Sequence, residues 1–315
     1  MTDIKNVSPL GIAAKWPSRK SVIQVVGKTT PSPIDPVDEY NARLDESNTV
    51  RSPPSATYHA VGARMLGKSM ALALQREPWE RDASGSLGYL WLSDQLDFFW
   101  HVKYRSLFPD SRRPLRLMNW EFITRTMSIL FLLGRIEGAT YQGYLVHAAL
   151  NRTYQLQLPY EEMRRKVHPF MLRLFADWRG DVTHAWPEYA YSEPIYEGIL
   201  ERWREPDADV LKPWLLLACD RHTHQSKHES EKVFYDCSAF PRTPLEIQYL
   251  FRLRELIGLE NPVLDHPLME PPFDKLPQAQ PAYVPDERVL GTLARVREDW
   301  PEFDQIVALD ALKRV

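Results

Sequence analysis

The chain has 315 residues, a formal net charge of −3, 44% hydrophobic and 26% charged residues, and two cysteines. Its length allows one large domain or two moderate ones, and the near-neutral balance argues against a dedicated nucleic-acid binder, which carries a basic excess. Cys219 and Cys237 make no disulfide framework and suit a reducing compartment.

Residues 1–56 contain Pro9, Pro17, Pro31, Pro33, Pro36, Pro53 and Pro54, which interrupt the helix candidates there. Ser21–Val26 is β-branched and is predicted as a short strand; Asp35, Asp38, Glu39, Asp45 and Glu46 form an acidic cluster. The expectation is a proline-rich, partly extended N-terminal arm, tied down through Trp16 and that strand. Asp3, Lys5 and Lys15 flank only a short apolar patch, which is no secretory leader, so a cytoplasmic protein is expected.

From Thr57 the period is helical. Helices are predicted over 57–77, over 87–108 and over 117–151, the last being the longest and most apolar, with Trp120, Thr124, Met127, Phe131 and Ile136 inward. Arg125, Arg135, Glu137 and His147 interrupt that stretch, which excludes a membrane span. Gly134 and Gly138 suggest close approach of a neighbouring helix. Further helices are expected at 159–178, with Pro169 as a kink, at 194–204 behind a first-turn Pro194, and at 209–222, with Leu211, Trp214, Leu215 and Ala218 on one stripe. Pro244–Gly258 carries a capping box from Thr243 and Glu246 and a terminating Gly258; helices at 286–297 and 302–314 complete the chain. The fold class is mainly α: an irregular multi-helix domain over 57–275, the arm at 1–56, a helical extension at 276–315, and at most a short strand element.

Charge is concentrated between Asp181 and Asp209. Eight carboxylates against Arg202 and Arg204 give that tract −6, leaving +3 for the rest. Trp186, Tyr189, Tyr191, Tyr196 and Trp203 are interleaved with the acids. Rings offer contact area and carboxylates offer steering, so a cationic protein partner is expected to meet Asp181, Trp186, Glu188, Tyr189, Tyr191, Glu193, Glu197, Glu201 and Trp203.

Catalytic patterns are incomplete. Gly27-Lys28-Thr29 lacks the glycine a phosphate loop needs at Val22, and Ser84 lacks the flanks of a nucleophile elbow and reads as a turn between helices. Cys219, His222, His224 and His228, with Cys237 further on, offer ligand spacing. However, Lys232 stands where a zinc-protease pattern requires histidine, and the polar run 223–232 reads as a solvated loop. Asp94 with Asp97, and Arg135 with Glu137, read as charges paired within the core. Arg164-Arg165-Lys166 reads as helix-surface ion pairing with Glu161 and Glu162. No metal, cofactor or catalytic residue is expected.

Phe240–Met269 contains a proline-led Pro-x-Glu-Ile helix, then Arg-x-Arg-Glu, Asn-Pro and His-Pro-Leu-Met. It resembles the closing segment of helical immunity proteins encoded beside bacterial polymorphic or type VI secretion toxins, particularly nucleases, and the resemblance extends loosely over 57–275. It implies a non-enzymatic protein that neutralises a cognate toxin by stoichiometric binding in the cytoplasm, touching neither nucleic acid nor membrane. The alternative is a helical hydrolase or metal-dependent enzyme using Asp94, Asp97, His222 or His224.

Overall fold

The computed structural model describes residues 3–27, 33–44, 52–109, 120–151, 165–227 and 236–314. Among them there is no strand, and thirteen α-helices carry the fold. The first three are α1 (Arg19–Gly27), α2 (Asp35–Asn41) and α3 (Ser55–Leu74), followed by α4 (Glu80–Leu107), α5 (Trp120–Leu132), α6 (Ile136–Asn151) and α7 (Val167–Arg179). Then come α8 (Pro194–Leu200), α9 (Ala208–His224), α10 (Leu245–Leu256), α11 (Glu287–Asp299), α12 (Phe303–Ile306) and α13 (Leu309–Leu312). No described helix is long and apolar enough to cross a membrane.

The predicted strand Ser21–Val26 is a correction: it lies inside α1. Ser18 turns the chain into the helix, its Oγ accepting from Ser21 N at 3.1 Å. Val22 and Ile23 then pack on the core beside α3. A β-branched run costs some helix propensity, and one apolar face docked on a neighbour outweighs that cost. The expected tether at Trp16 is present. Its Nε1 donates to Pro241 O at 2.8 Å, and the Arg242 guanidinium stacks 3.3 Å from the ring centroid. Residues 1–56 also contribute a second helix, α2, with Pro36 in its first turn and Val37 and Tyr40 buried. Arg288 of α11 pairs with Asp38 at 2.8 Å, and Arg295 lies 4.0 Å over the Tyr40 ring. One hydrophobic core therefore includes Val37 and Tyr40 from the predicted arm and Val289, Val296 and Phe303 from the predicted extension.

The single predicted helix over 117–151 is two. Gly134, at φ +69°, ends α5 with paired hydrogen bonds, Gly134 N to Phe131 O at 2.9 Å and Arg135 N to Leu130 O at 2.8 Å. That pattern is a Schellman cap, which a glycine adopts without Cβ strain. Arg252 of α10 secures the same end, donating to Phe131 O at 3.0 Å, Leu132 O at 3.1 Å and Pro277 O at 2.8 Å. Thr124, Met127 and Phe131 are buried as expected, Ile136 is half-buried, and the Trp120 side chain lies outside the described residues. Gly143, rather than Gly138, is where the α6 backbone comes closest to a neighbour.

Pro169 is the third residue of α7, where an amide has no intrahelical partner, so it makes no kink. The start of the predicted 159–178 helix, through residue 164, lies outside the described residues. The helix expected over 302–314 is broken into α12 and α13. The capping box at α10 is also corrected. Pro244 occupies the cap position without a side-chain bond, Thr243 Oγ1 faces Met70 Sδ at 3.8 Å, and Glu246 turns inward.

Candidate functional site

The acidic tract is built outward from α7. Gly180, at φ +71°, ends that helix in the left-handed conformation, and the chain runs extended to a short 3₁₀ turn, Glu188–Tyr191. Asp181 accepts from Tyr144 Oη at 2.6 Å, while Arg179 Nε donates to the same hydroxyl at 2.9 Å. Trp186 is half-buried, its ring edge-on to His184 at 4.5 Å and to His147 at 6.2 Å.

Three buried or half-buried arginines hold the chain from the 3₁₀ turn to the start of α9. Arg173 of α7 grips Glu197 with both terminal nitrogens, donates to Ala190 O at 2.8 Å, and lies 4.2 Å over Tyr191. Arg221 of α9 pairs with Glu193 at 2.6 Å and with Asp236, and donates to Tyr196 Oη at 3.0 Å. Arg254 of α10 has no exposed surface and donates to the carbonyls of Trp203, of Glu205 at 3.0 Å and of Glu260 at 2.6 Å. Under them, Tyr196 stacks on Phe170 at 4.3 Å. Gly198 meets the Trp214 ring so closely that a Cβ would stand 2.2 Å from it. Asp207 caps α9 by accepting from Asp209 N at 2.9 Å.

The nine predicted partner-facing residues therefore divide. Glu193 and Glu197 are consumed by internal pairs, and Glu201 pairs with the adjacent Arg202 at 2.9 Å. Trp203 is only 1% exposed and donates to Asp177 Oδ2 at 2.6 Å, so it is a core ring rather than a surface anchor. Tyr191 stays 48% exposed, Tyr189 and Trp186 are half-buried, and Glu188 and Asp181 are exposed. Glu205, Asp207 and Asp209 extend the exposed acids beyond the predicted set. No sequence spacing marks Arg173, Arg221 or Arg254 as their partners, because each reaches across 24 to 51 positions to do so.

The enzyme candidates are dispersed. Asp94 accepts from Gln142 Nε2 at 2.8 Å inside the core, linking α4 to α6; burial, with Asp97 beside it, pushes its carboxyl well above the usual carboxylate range. Asp97 is half-buried. Ser84, expected in a turn, lies within the first turns of α4 and accepts from Arg135 at 3.3 Å. Gly27 is the last residue of α1, with Lys28 and Thr29 outside the described residues. Arg165 pairs with Glu121 of α5 at 2.6 Å; Arg164, Glu161 and Glu162 are also outside the described residues.

The predicted cluster Cys219, His222, His224 and His228 is not assembled by the described residues. His224 faces the N-terminal segment, its Nε2 3.0 Å from Gly11 O, and His228 lies outside them. His222 instead meets Glu246, Nδ1 to Oε1 at 2.7 Å, with Cys237 beside them; all three are at most 1% exposed. Burial, with Glu246 nearby, pushes both the Cys219 and Cys237 thiols well up, so neither is an activated nucleophile. A cavity of about 90 Å³ lies elsewhere, lined by α1, α3 and the Ala239–Thr243 turn. None of its lining residues belongs to the acidic tract.

No family model matches the chain, and neither curated proteins nor solved structures gave a match.

Proposed function

We propose that this chain is a helical inhibitor of the immunity type, neutralising a basic protein toxin, of nuclease kind, by stoichiometric binding along the Glu188–Asp209 face. One observation carries the reading. The inner carboxylates Glu193 and Glu197 are neutralised by Arg221 and Arg173, which fixes the segment, while Glu188, Glu205, Asp207 and Asp209 stay exposed. Neutralising the inner acids lets the segment hold one conformation, and an ordered acidic surface binds with less ordering cost than a flexible one. A nuclease presents cations to phosphate, so the same cations are attracted to these carboxylates. Tyr191 supplies an amphipathic ring at the rim of the face, backed by Arg173. A nuclease target implies action in the cytoplasm.

The test pairs the chain with the nuclease-type product of a neighbouring reading frame. Coproduction should restore growth that the toxin alone abolishes. Reversal of Glu188, Glu205 and Asp209 to lysine should lower the association rate about tenfold or more at low salt, with the difference shrinking as salt rises. An association rate unchanged by that triple reversal at every ionic strength would remove this face from the interface.

A further inference from the structure

His222, Cys237 and Glu246 come from three separate places. His222 is in the last turn of α9, Cys237 is in the turn that follows the 228–235 segment, and Glu246 is in the first turn of α10. Their ligand atoms lie within 4.8 Å of one another, and all three side chains are buried. The backbone holds them there: Cys237 N donates to Gln225 O at 2.9 Å, just past the end of α9, and Ser226 Oγ donates to His222 O at 2.6 Å.

The polar accounting at this point is incomplete. His222 Nδ1 is engaged with Glu246 Oε1 at 2.7 Å, while His222 Nε2 and Glu246 Oε2 are fully buried with no hydrogen-bond partner among the described residues. Interiors normally satisfy such atoms, because an unpaired buried acceptor carries its full desolvation cost. The imidazole of His222, the Glu246 carboxylate and the Cys237 thiol already stand together as a cation's ligands would, with Oε1 and Nδ1 in contact and Oε2 of the same carboxylate left for an ion to engage. The arginines whose charge reaches Cys237 are committed elsewhere, Arg221 to Glu193 and Asp236 and Arg165 to Glu121.

We propose that His222, Cys237 and Glu246 bind a zinc-class divalent cation that staples the end of α9 to the Cys237 turn and the start of α10. The donor set is one imidazole nitrogen, one thiolate and one carboxylate, which is the mixed nitrogen, sulfur and oxygen set a borderline ion such as Zn²⁺ accepts. Charge also balances. A thiolate and a carboxylate carry −2 together, the imidazole is neutral, and a divalent ion offsets them in a place where an isolated charge is expensive. Binding transfers the Cys237 thiol proton to solvent and forms a metal–sulfur bond, with no oxidant or reductant required. The three ligands are buried and come from consecutive elements, so the ion ties those elements together, with a water left to complete its tetrahedron. The proposal is independent of what the acidic face binds.

The experiment uses the full chain, produced with added zinc, freed of loose metal by gel filtration, and measured for metal content by mass spectrometry. About one zinc per chain is expected. Cobalt titrated into metal-stripped protein should give the near-ultraviolet sulfur-to-cobalt charge-transfer band and raise the melting temperature, as any ligand selective for the folded state does. Cys237→Ser should abolish the band. Glu246→Gln, which retains a hydrogen-bonding group toward His222, should lower zinc affinity tenfold or more while still folding by circular dichroism. Folded wild-type protein that holds no zinc and shows no thiolate–cobalt band overturns the proposal, as does a band that persists in Cys237→Ser.

Discussion

The Phe175 ring lies against the bare backbone of Gly143, where an added Cβ would stand 2.2 Å from the ring. This contact sets how closely α6 and α7 approach, and Tyr144 and His147 complete it, edge-on and stacked on the same ring at 5.6 Å each. Gly143→Ala improves helix propensity, yet the methyl has nowhere to go, because the neighbour is a rigid ring in a filled core. The expected net effect is a loss of about 1–3 kcal/mol, read as a lower denaturant midpoint at unchanged slope.

Arg254 is the interior clamp for the turn after α8. Replacing it with methionine keeps most of the packing volume and leaves the carbonyls of Trp203, Glu205 and Glu260 without their donor. A stability loss of about 3 kcal/mol is expected, from charged hydrogen bonds removed at a buried site. Amide exchange should accelerate first around residues 203–207, ahead of the α3 and α4 core, which distinguishes a local clamp from a general packing defect.

Glu197 belongs to the framework rather than to the outer face. Glu197→Ala strands the Arg173 guanidinium, which is only 15% exposed, so thermal stability should fall by about 1–3 kcal/mol. Its effect on the salt dependence of partner association should be small beside that of Glu188, Glu205 and Asp209 reversed together. A Glu197 variant of full stability with a strongly weakened salt dependence would move this residue to the interface.

Acid should destabilise the protein through His147. Burial drives its pKa down from 6.5 to about 4, although its bond to Gly143 O at 2.8 Å opposes that shift. Between those two values the unfolded chain takes up a proton that the folded chain refuses. The contribution is therefore complete above about pH 6.5 and is lost as pH falls toward 4. From about pH 7 to about pH 4.5 the wild type should lose about 2 kcal/mol more than His147→Met does, measured by urea unfolding at each pH.

Helix content and most helix positions were legible in the sequence. The apolar stripes of 57–77 and 209–222 and the glycine stop at Gly258 depend on residues near one another in the chain, and they recur as α3, α9 and the end of α10. The same local reading failed at Ser21–Val26, where β propensity yielded to docking on α3, and at Gly134, where helical periodicity continued through a Schellman cap whose carbonyls the distant Arg252 secures. Alternation and propensity are properties of a few consecutive residues; whether a face finds a partner is not.

The sequence by itself determined that the chain is helical and that residues 181–209 carry −6, because composition and short-range spacing suffice for both. Only the tertiary structure decided which of those charges face solvent. Arg173, Arg221 and Arg254 arrive from three other helices to neutralise Glu193 and Glu197 and to hold the Trp203 turn, leaving Glu188, Glu205, Asp207 and Asp209 outside. The sequence grouped His222 with Cys219, His224 and His228, yet the α9 turn sends His222 and His224 to different neighbours. It brings to His222 the carboxylate of Glu246, 24 positions on. A carboxylate's sequence neighbours fix its local charge density. Its role depends on which cation the packing of helices delivers within about 3 Å, and that distance is set by the whole fold.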